Sequence, residues 1–263
     1  MIRQDTGAGR AQESRTMGAT AAMERAEATA IRRASRTRVG AATRSRFCAE
    51  PEAVNEQDSS FDGSVSKLLQ PSERTLLWVA DQLDGLTLPG LSDNKRLRLA
   101  AGCLHIAIEH AQAIVVLTQE KCFGSALALQ RPLIEAWARG FWLLYDATEE
   151  DVDRAEQDKF PPKGEIVKAL EAVDTKFPYL EGAPWAMLCS YTHTGFEQIE
   201  ARMSVAGLQS NYTLEHVRRA LRCADMFQLA SSIVVAEAAG NLPLAQSICD
   251  RLGAYAAENG PRP

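Results

Sequence analysis

Residues Ser125 to Tyr145 read SALALQRPLIEAWARGFWLLY, a stretch too apolar on every side to be anything but a central helix. At about 100° per residue, Ala126, Leu129, Leu133, Ala136, Trp137, Gly140 and Leu144 form one apolar face, and Leu127, Ile134, Phe141 and Tyr145 take much of the other. The narrow polar stripe that remains holds Arg131, Glu135 and Arg139 at i, i+4 and i+8, one carboxylate between two guanidinium groups. Such a stripe is either a salt-bridge ladder along one wet edge or a set of charges facing a polar pocket, because interior charges are paired or used. Pro132 gives Arg131 an irregular setting: it has no N–H for the Ala128 carbonyl, so the helix either begins at this proline or, as the pattern of Ala126, Leu127 and Leu129 favours, is kinked there with that carbonyl free.

Outward from this helix the chain reads as helices throughout. Ser72 opens a helix ending near Gly85, and Ser92 or Asp93 caps a long one running to about Glu120. The long helix has an apolar stripe of Leu97, Ala101, Leu104, Ile108, Ala111 and Val115. A parallel polar stripe carries Arg98, His105 and Glu109, the last two spaced to hydrogen-bond and to form a second wall facing Arg131 and Glu135. Phe123 and Gly124 turn the chain into the central helix, which makes the two long helices antiparallel neighbours. Thr148 caps a short acidic helix, Glu165 to Thr175 forms another, and Phe177 to Pro184 is a loop. Thr213 caps a long late helix that runs toward Gly240, followed by Leu242 to Ala257. No strand shows convincing alternation, so the fold class is all-α, an antiparallel helical bundle over residues 72–257.

Between these helices SYTHTG, Ser190 to Gly195, interrupts an otherwise helical run. Tyr191 and His193 with the neighbouring hydroxyls can bind an anion or orient a general base, and they can equally be a capped kink with Thr194 or Gly195 as the new cap.

Residues 1–48 are a different kind of sequence, with ten arginines, no lysine and four acids, a net +6 against −11 for the rest of a 263-residue chain whose total is −5. So little apolar surface cannot offset ordering entropy, and residues 1–60 read as a disordered basic tail and linker, or as sequence upstream of a wrongly chosen start, with the acidic and polar residues 49–70 as the linker. A chain beginning near Ser72 is accordingly expected to keep its melting temperature within roughly a degree or two. The longest uninterrupted aliphatic run, Ala113 to Leu117, is far too short to span a bilayer, and six cysteines without CxxC spacing point to reduced thiols in a cytoplasmic protein with no metal site. P-loop, dinucleotide, di-iron and nucleophile-elbow patterns are absent, and no cofactor is implied.

At Ala126 to Glu135, and again at Tyr191 to Gly195, the chain resembles uncharacterised all-helical bacterial domains in which an A-x-x-L-x-R-x-x-x-E helix precedes a tyrosine/histidine/glycine turn, the likeness covering about residues 72–252. Some such domains look distantly like HEPN proteins, whose ribonucleases use an arginine and a histidine with four to six residues between them. Arg98 and His105 have that spacing, on the first long helix rather than the late one. Two functions are therefore carried forward. One is a non-enzymatic binding protein in a bacterial stress or defence setting, its pocket gathering Arg131, Glu135, Tyr191 and His193. The other is a metal-independent HEPN-like ribonuclease. The partners these admit are a small molecule or a protein, nucleic acid through the basic tail, and a second copy of the chain, with no membrane.

Overall fold

The apolar stretch at the centre of the sequence becomes two helices, α3 (Phe123–Ala128) and α4 (Gln130–Tyr145), in a computed structural model that describes residues 56–172, 182–204 and 207–259. Before them come α1 (Glu56–Leu83) and α2 (Lys95–Gln119). After them come α5 (Glu149–Glu156), α6 (Lys163–Ala172), α7 (Gly182–Thr192), α8 (Phe196–Glu200), α9 (Leu214–Ala238) and α10 (Leu242–Asn259). A two-residue hairpin, β1 (Met203–Ser204) against β2 (Gly207–Leu208), pairs Met203 with Leu208 antiparallel. The fold is all-α.

Helices α2, α4 and α9 form the core, α2 packing on both of the others and α9 also on α1 and α10. Leu133, Ile134, Trp137 and Leu143 of α4 are buried, and the Trp137 ring lies 5.2 Å from Phe227 of α9 and 5.7 Å from Phe141, centroid to centroid. That α2 and α4 run antiparallel is fixed at their ends, where Arg96 at the start of α2 donates to the Leu143 carbonyl at 2.7 Å and to that of Ala147, satisfying carbonyls that a helix end leaves open. Gly140 lets the two backbones approach: a Cβ there would sit 2.8 Å from Leu104 Cγ and 3.1 Å from the Ala100 carbonyl oxygen. By length and composition alone α2 could cross a membrane. In the bundle it instead buries Leu104, Ala107, Ala111 and Ile114, with Arg98, His105 and Glu109 exposed on the other side, as a core helix does.

Several boundaries differ from the sequence reading. Residues 56–70, expected as linker, are the first half of α1, with Val65 and Leu69 buried and Phe61 edge-on to Phe123 at 6.1 Å. Ser72 therefore caps nothing; it lies inside α1, one residue after Pro71. The cap of α2 is Asn94, whose side chain accepts from Leu97 N at 3.0 Å, rather than Ser92 or Asp93. Phe123 and Gly124 are helical, the turn before them being made at Lys121 with φ 58°. The caps expected at Thr148 and Thr213 are present, each closed into a reciprocal box by the residue three positions on. Cys103, Cys122, Cys189, Cys223 and Cys249 are free thiols. The basic tail with Cys48 and most of the loop expected at 177–184 lie outside the described residues, although Gly182–Pro184 already belong to α7.

Candidate functional site

The site begins with the proline. Leu129 interrupts the α3–α4 run, so Pro132 falls in the first turn of α4, and lacking an N–H it can give the Ala128 carbonyl no bond. Thr192, the last residue of α7, fills that gap: its hydroxyl lies 3.1 Å from the Ala128 oxygen and 2.9 Å from the Leu188 oxygen, its single proton shared between them. A side chain 64 positions away thus ties the end of α7 to the break in the central run.

His193 follows directly, and this tie delivers it to Arg131, whose Nη1 contacts His193 Nε2. The guanidinium can only donate, so Nε2 accepts and the contact belongs to the neutral imidazole with its proton on Nδ1. Glu135 holds the same arginine from its own helix, Oε1 accepting from Arg131 Nε at 2.8 Å, and the Trp185 ring centroid lies 5.3 Å from Arg131 Cζ. The Arg131 and Glu135 side chains are 22% and 31% exposed, which leaves the pair open to a ligand on one side. Three guanidinium N–H groups are not engaged by Glu135 or His193. Arg139, expected to complete the ladder, instead stacks its guanidinium 4.4 Å from the Phe160 centroid.

The turn that carries His193 is built by its neighbours. Thr194 takes φ 54°, ending α7, and Gly195 caps α8 in extended geometry. The Ser190 hydroxyl accepts from Glu197 N at 3.1 Å, closing the α8 end. A Cβ on Gly195 would come within 2.5 Å of Ser190 Oγ and 2.9 Å of Ser190 Cα, so this approach needs glycine. Two of the four hydroxyls that made SYTHTG conspicuous, those of Ser190 and Thr192, are thus spent on backbone.

Tyr191 is not beside Arg131 in a shared pocket; it is 1% exposed and faces α9, its ring 6.4 Å from that of His216 and 5.7 Å from Arg219 Cζ. A helix turns side chains two residues apart in different directions, so Tyr191 points inward where His193 points out. Burial raises the Tyr191 phenol, with Arg219 pulling the other way, and burial also lowers His216, reinforced by Arg219. His105 and Glu109 are exposed on α2, and no contact among the described residues joins them to Arg131; α2 turns Leu104 and Ala107 toward α4 instead. Arg98, the other half of the HEPN-like spacing, donates to the Ser92 carbonyl at 2.6 Å. Trp185 and Arg219 were not singled out from the sequence, since an indole and an arginine among helical residues carry no spacing signal. No group of three or more metal-ligating side chains is present among the described residues.

The chain belongs to a family of unknown function (DUF6988), whose sequence model matches residues 104–257, from the middle of α2 into α10. No curated protein and no solved structure matches it.

Proposed function

We propose that this family member is a non-enzymatic binding protein of the bacterial cytoplasm, serving a stress or defence response, and that Arg131, Glu135 and His193, with Trp185, form its ligand-contacting surface. The observation that carries the reading is the Arg131–His193 contact, made across 62 positions of sequence on a partly exposed side chain already oriented by Glu135. An arginine held by a carboxylate and an aromatic ring is fixed in direction, so its remaining N–H groups present a preorganised site for an anionic or carbonyl oxygen. Glu135 offsets its charge, which suits one carboxylate better than a run of phosphates.

The ribonuclease reading has the same contact in its favour, a neutral imidazole beside a guanidinium. Against it stands the net −11 of residues 49–263, a poor electrostatic match for RNA. The test follows the His193 ring signals by NMR while acetate or inorganic phosphate is titrated into wild-type protein and Arg131→Gln. Parallel samples of wild-type, His193→Ala and His105→Ala protein are incubated with total RNA in EDTA. A saturable shift lost in Arg131→Gln, with the RNA intact, is the expected result. RNA cleavage abolished by His193→Ala or by His105→Ala replaces the binding reading with the enzymatic one, and the absence of any saturable shift removes the site.

A further inference from the structure

A cavity of about 190 Å³ lies between α1, α9 and α10, away from Arg131, with Lys67, Ser72, Arg222, Asp225 and Tyr255 in its lining. It adjoins Pro71, which inside α1 withholds the bond the Lys67 carbonyl would otherwise receive. Asp225 is 2% exposed, and Ser72 Oγ donates to its Oδ2 at 2.7 Å. The Tyr255 hydroxyl and Arg251 also act on this carboxylate, but its Oδ1 is buried and accepts no hydrogen bond among the described residues. One turn earlier on α9, Arg222 Nε is buried and has no acceptor among the described residues. No ion pair among the described residues joins these two side chains, although they are three positions apart on one helix.

An acceptor and a donor left open together are expensive: each buried unsatisfied group is destabilising by roughly 1–3 kcal/mol, more when charged. A lone anion would meet the carboxylates of Asp225 and Glu258, and a lone cation would meet Arg218, Arg222 and Lys67. One molecule with both an ammonium and a carboxylate answers both. Side chains three apart on a helix have Cβ atoms about 5–6 Å from each other, a span that the two charged ends of an α-amino acid bridge through one hydrogen bond each. A cavity of this volume suits a molecule of amino-acid size. Leu68 and Leu221, also in the lining, offer an apolar wall to its side chain.

We propose that this cavity is a binding site for a free amino acid, with the ammonium on Asp225 and the carboxylate on Arg222 and Lys67. The site is separate from the Arg131 surface and does not depend on that reading. Isothermal titration of the full chain against each proteinogenic L-amino acid tests it. The amino acid that binds is then repeated as its N-acetyl derivative, which lacks the ammonium, and as its methyl ester, which lacks the carboxylate. At least one amino acid should bind saturably, with each blocked derivative weaker by about tenfold or more, since each loses one charged hydrogen bond in a desolvated site. Asp225→Asn and Arg222→Gln should each weaken binding by a similar factor, whereas Arg98→Ala, at an exposed position of α2 outside both sites, leaves it unchanged. Circular dichroism establishes that each variant is folded, and if Asp225→Asn is not, Arg222→Gln decides. No binding by any amino acid, equal binding of the blocked derivatives, or undiminished binding to the folded variants overturns the proposal.

Discussion

Thr192 is the residue on which the Arg131 surface depends, because its hydroxyl is the partner that Pro132 denies to the Ala128 carbonyl. Thr192→Val keeps the shape and removes the bond, leaving a part-buried carbonyl open, and should lower the unfolding free energy by about 1–3 kcal/mol, while Thr192→Ser loses much less. Chemical denaturation measures both, and equal values for Val and Ser would show that the hydroxyl has no structural role. Asp225 gives a second prediction, with an unusual sign. Burial pushes its carboxyl up to about 6, against an ordinary 3.8, outweighing the Ser72 and Tyr255 hydroxyls and Arg251, which pull it down. The folded state therefore holds the proton more tightly than the unfolded chain, so this group's contribution is fully present below about pH 3.8 and is lost as pH rises through 6. Between pH 3.5 and 6.5, stability relative to Asp225→Asn should fall by about 2–3 kcal/mol. A parallel course of the two proteins with pH would refute it. At this scale the sequence was partly legible. That Pro132 leaves the Ala128 carbonyl without a helix bond followed from the proline alone, and of the residues grouped with Arg131 as one pocket, Glu135 and His193 contact it while Tyr191 faces α9. Ser72 was misread as a cap because a serine before a glutamate looks like one, and the carboxylate it serves lies 153 positions away.

Among the elements, the central helix was the easiest to recognise, since apolarity all round admits only an interior position, and the capped starts of α5 and α9 were marked by threonines three residues before a side-chain partner. The first half of α1 was not recognised. Its stripe, Phe61, Val65, Leu68 and Leu69, has helical spacing, but Ser, Gly and Asp around it dilute the pattern to that of a linker. The α2–α4 contact supplies the test at this scale, because helix propensity and packing oppose each other at Gly140. Alanine is the better helix former by about 1 kcal/mol, yet its Cβ would displace Leu104 or press on the Ala100 carbonyl, and overpacking of this kind is destabilising by about 1–3 kcal/mol. Packing wins, so Gly140→Ala should be net destabilising. At Gly102, exposed on the same α2 with no atom within 4 Å of the added Cβ, alanine should instead stabilise by up to about 1 kcal/mol. Urea unfolding of the two variants should give shifts of opposite sign, and a stabilised Gly140→Ala would mean that the helices do not approach as closely as described.

For the molecule as a whole, the question is where the chain can be cut without loss, and the structure reverses the expectation that Ser72 marks a safe start. Removing residues 56–71 uncovers Phe123 and strips Val65 and Leu69 from the core, along with the Asp62–Lys121 ion pair. Burying an aliphatic or aromatic side chain is worth about 1.5–3 kcal/mol, so a chain beginning at Ser72 should be several kcal/mol less stable than one beginning at Glu56. The cut at Glu56 is the informative one for charge. It removes the ten arginines of residues 1–48 and leaves the acidic bundle. If those arginines form a nucleic-acid arm, the full chain binds single-stranded RNA with log K falling against log salt by about 0.7 for each phosphate neutralised, and the shortened chain, repelled by its own charge, does not bind at low salt. That is the outcome expected for fluorescence-anisotropy titrations at stepped salt concentrations, with both proteins giving the same thermal transition. Equal affinity and slope for the two would show that the arginines play no part in binding and would move any RNA contact onto the bundle itself, where Arg131 and His193 are the first residues to substitute.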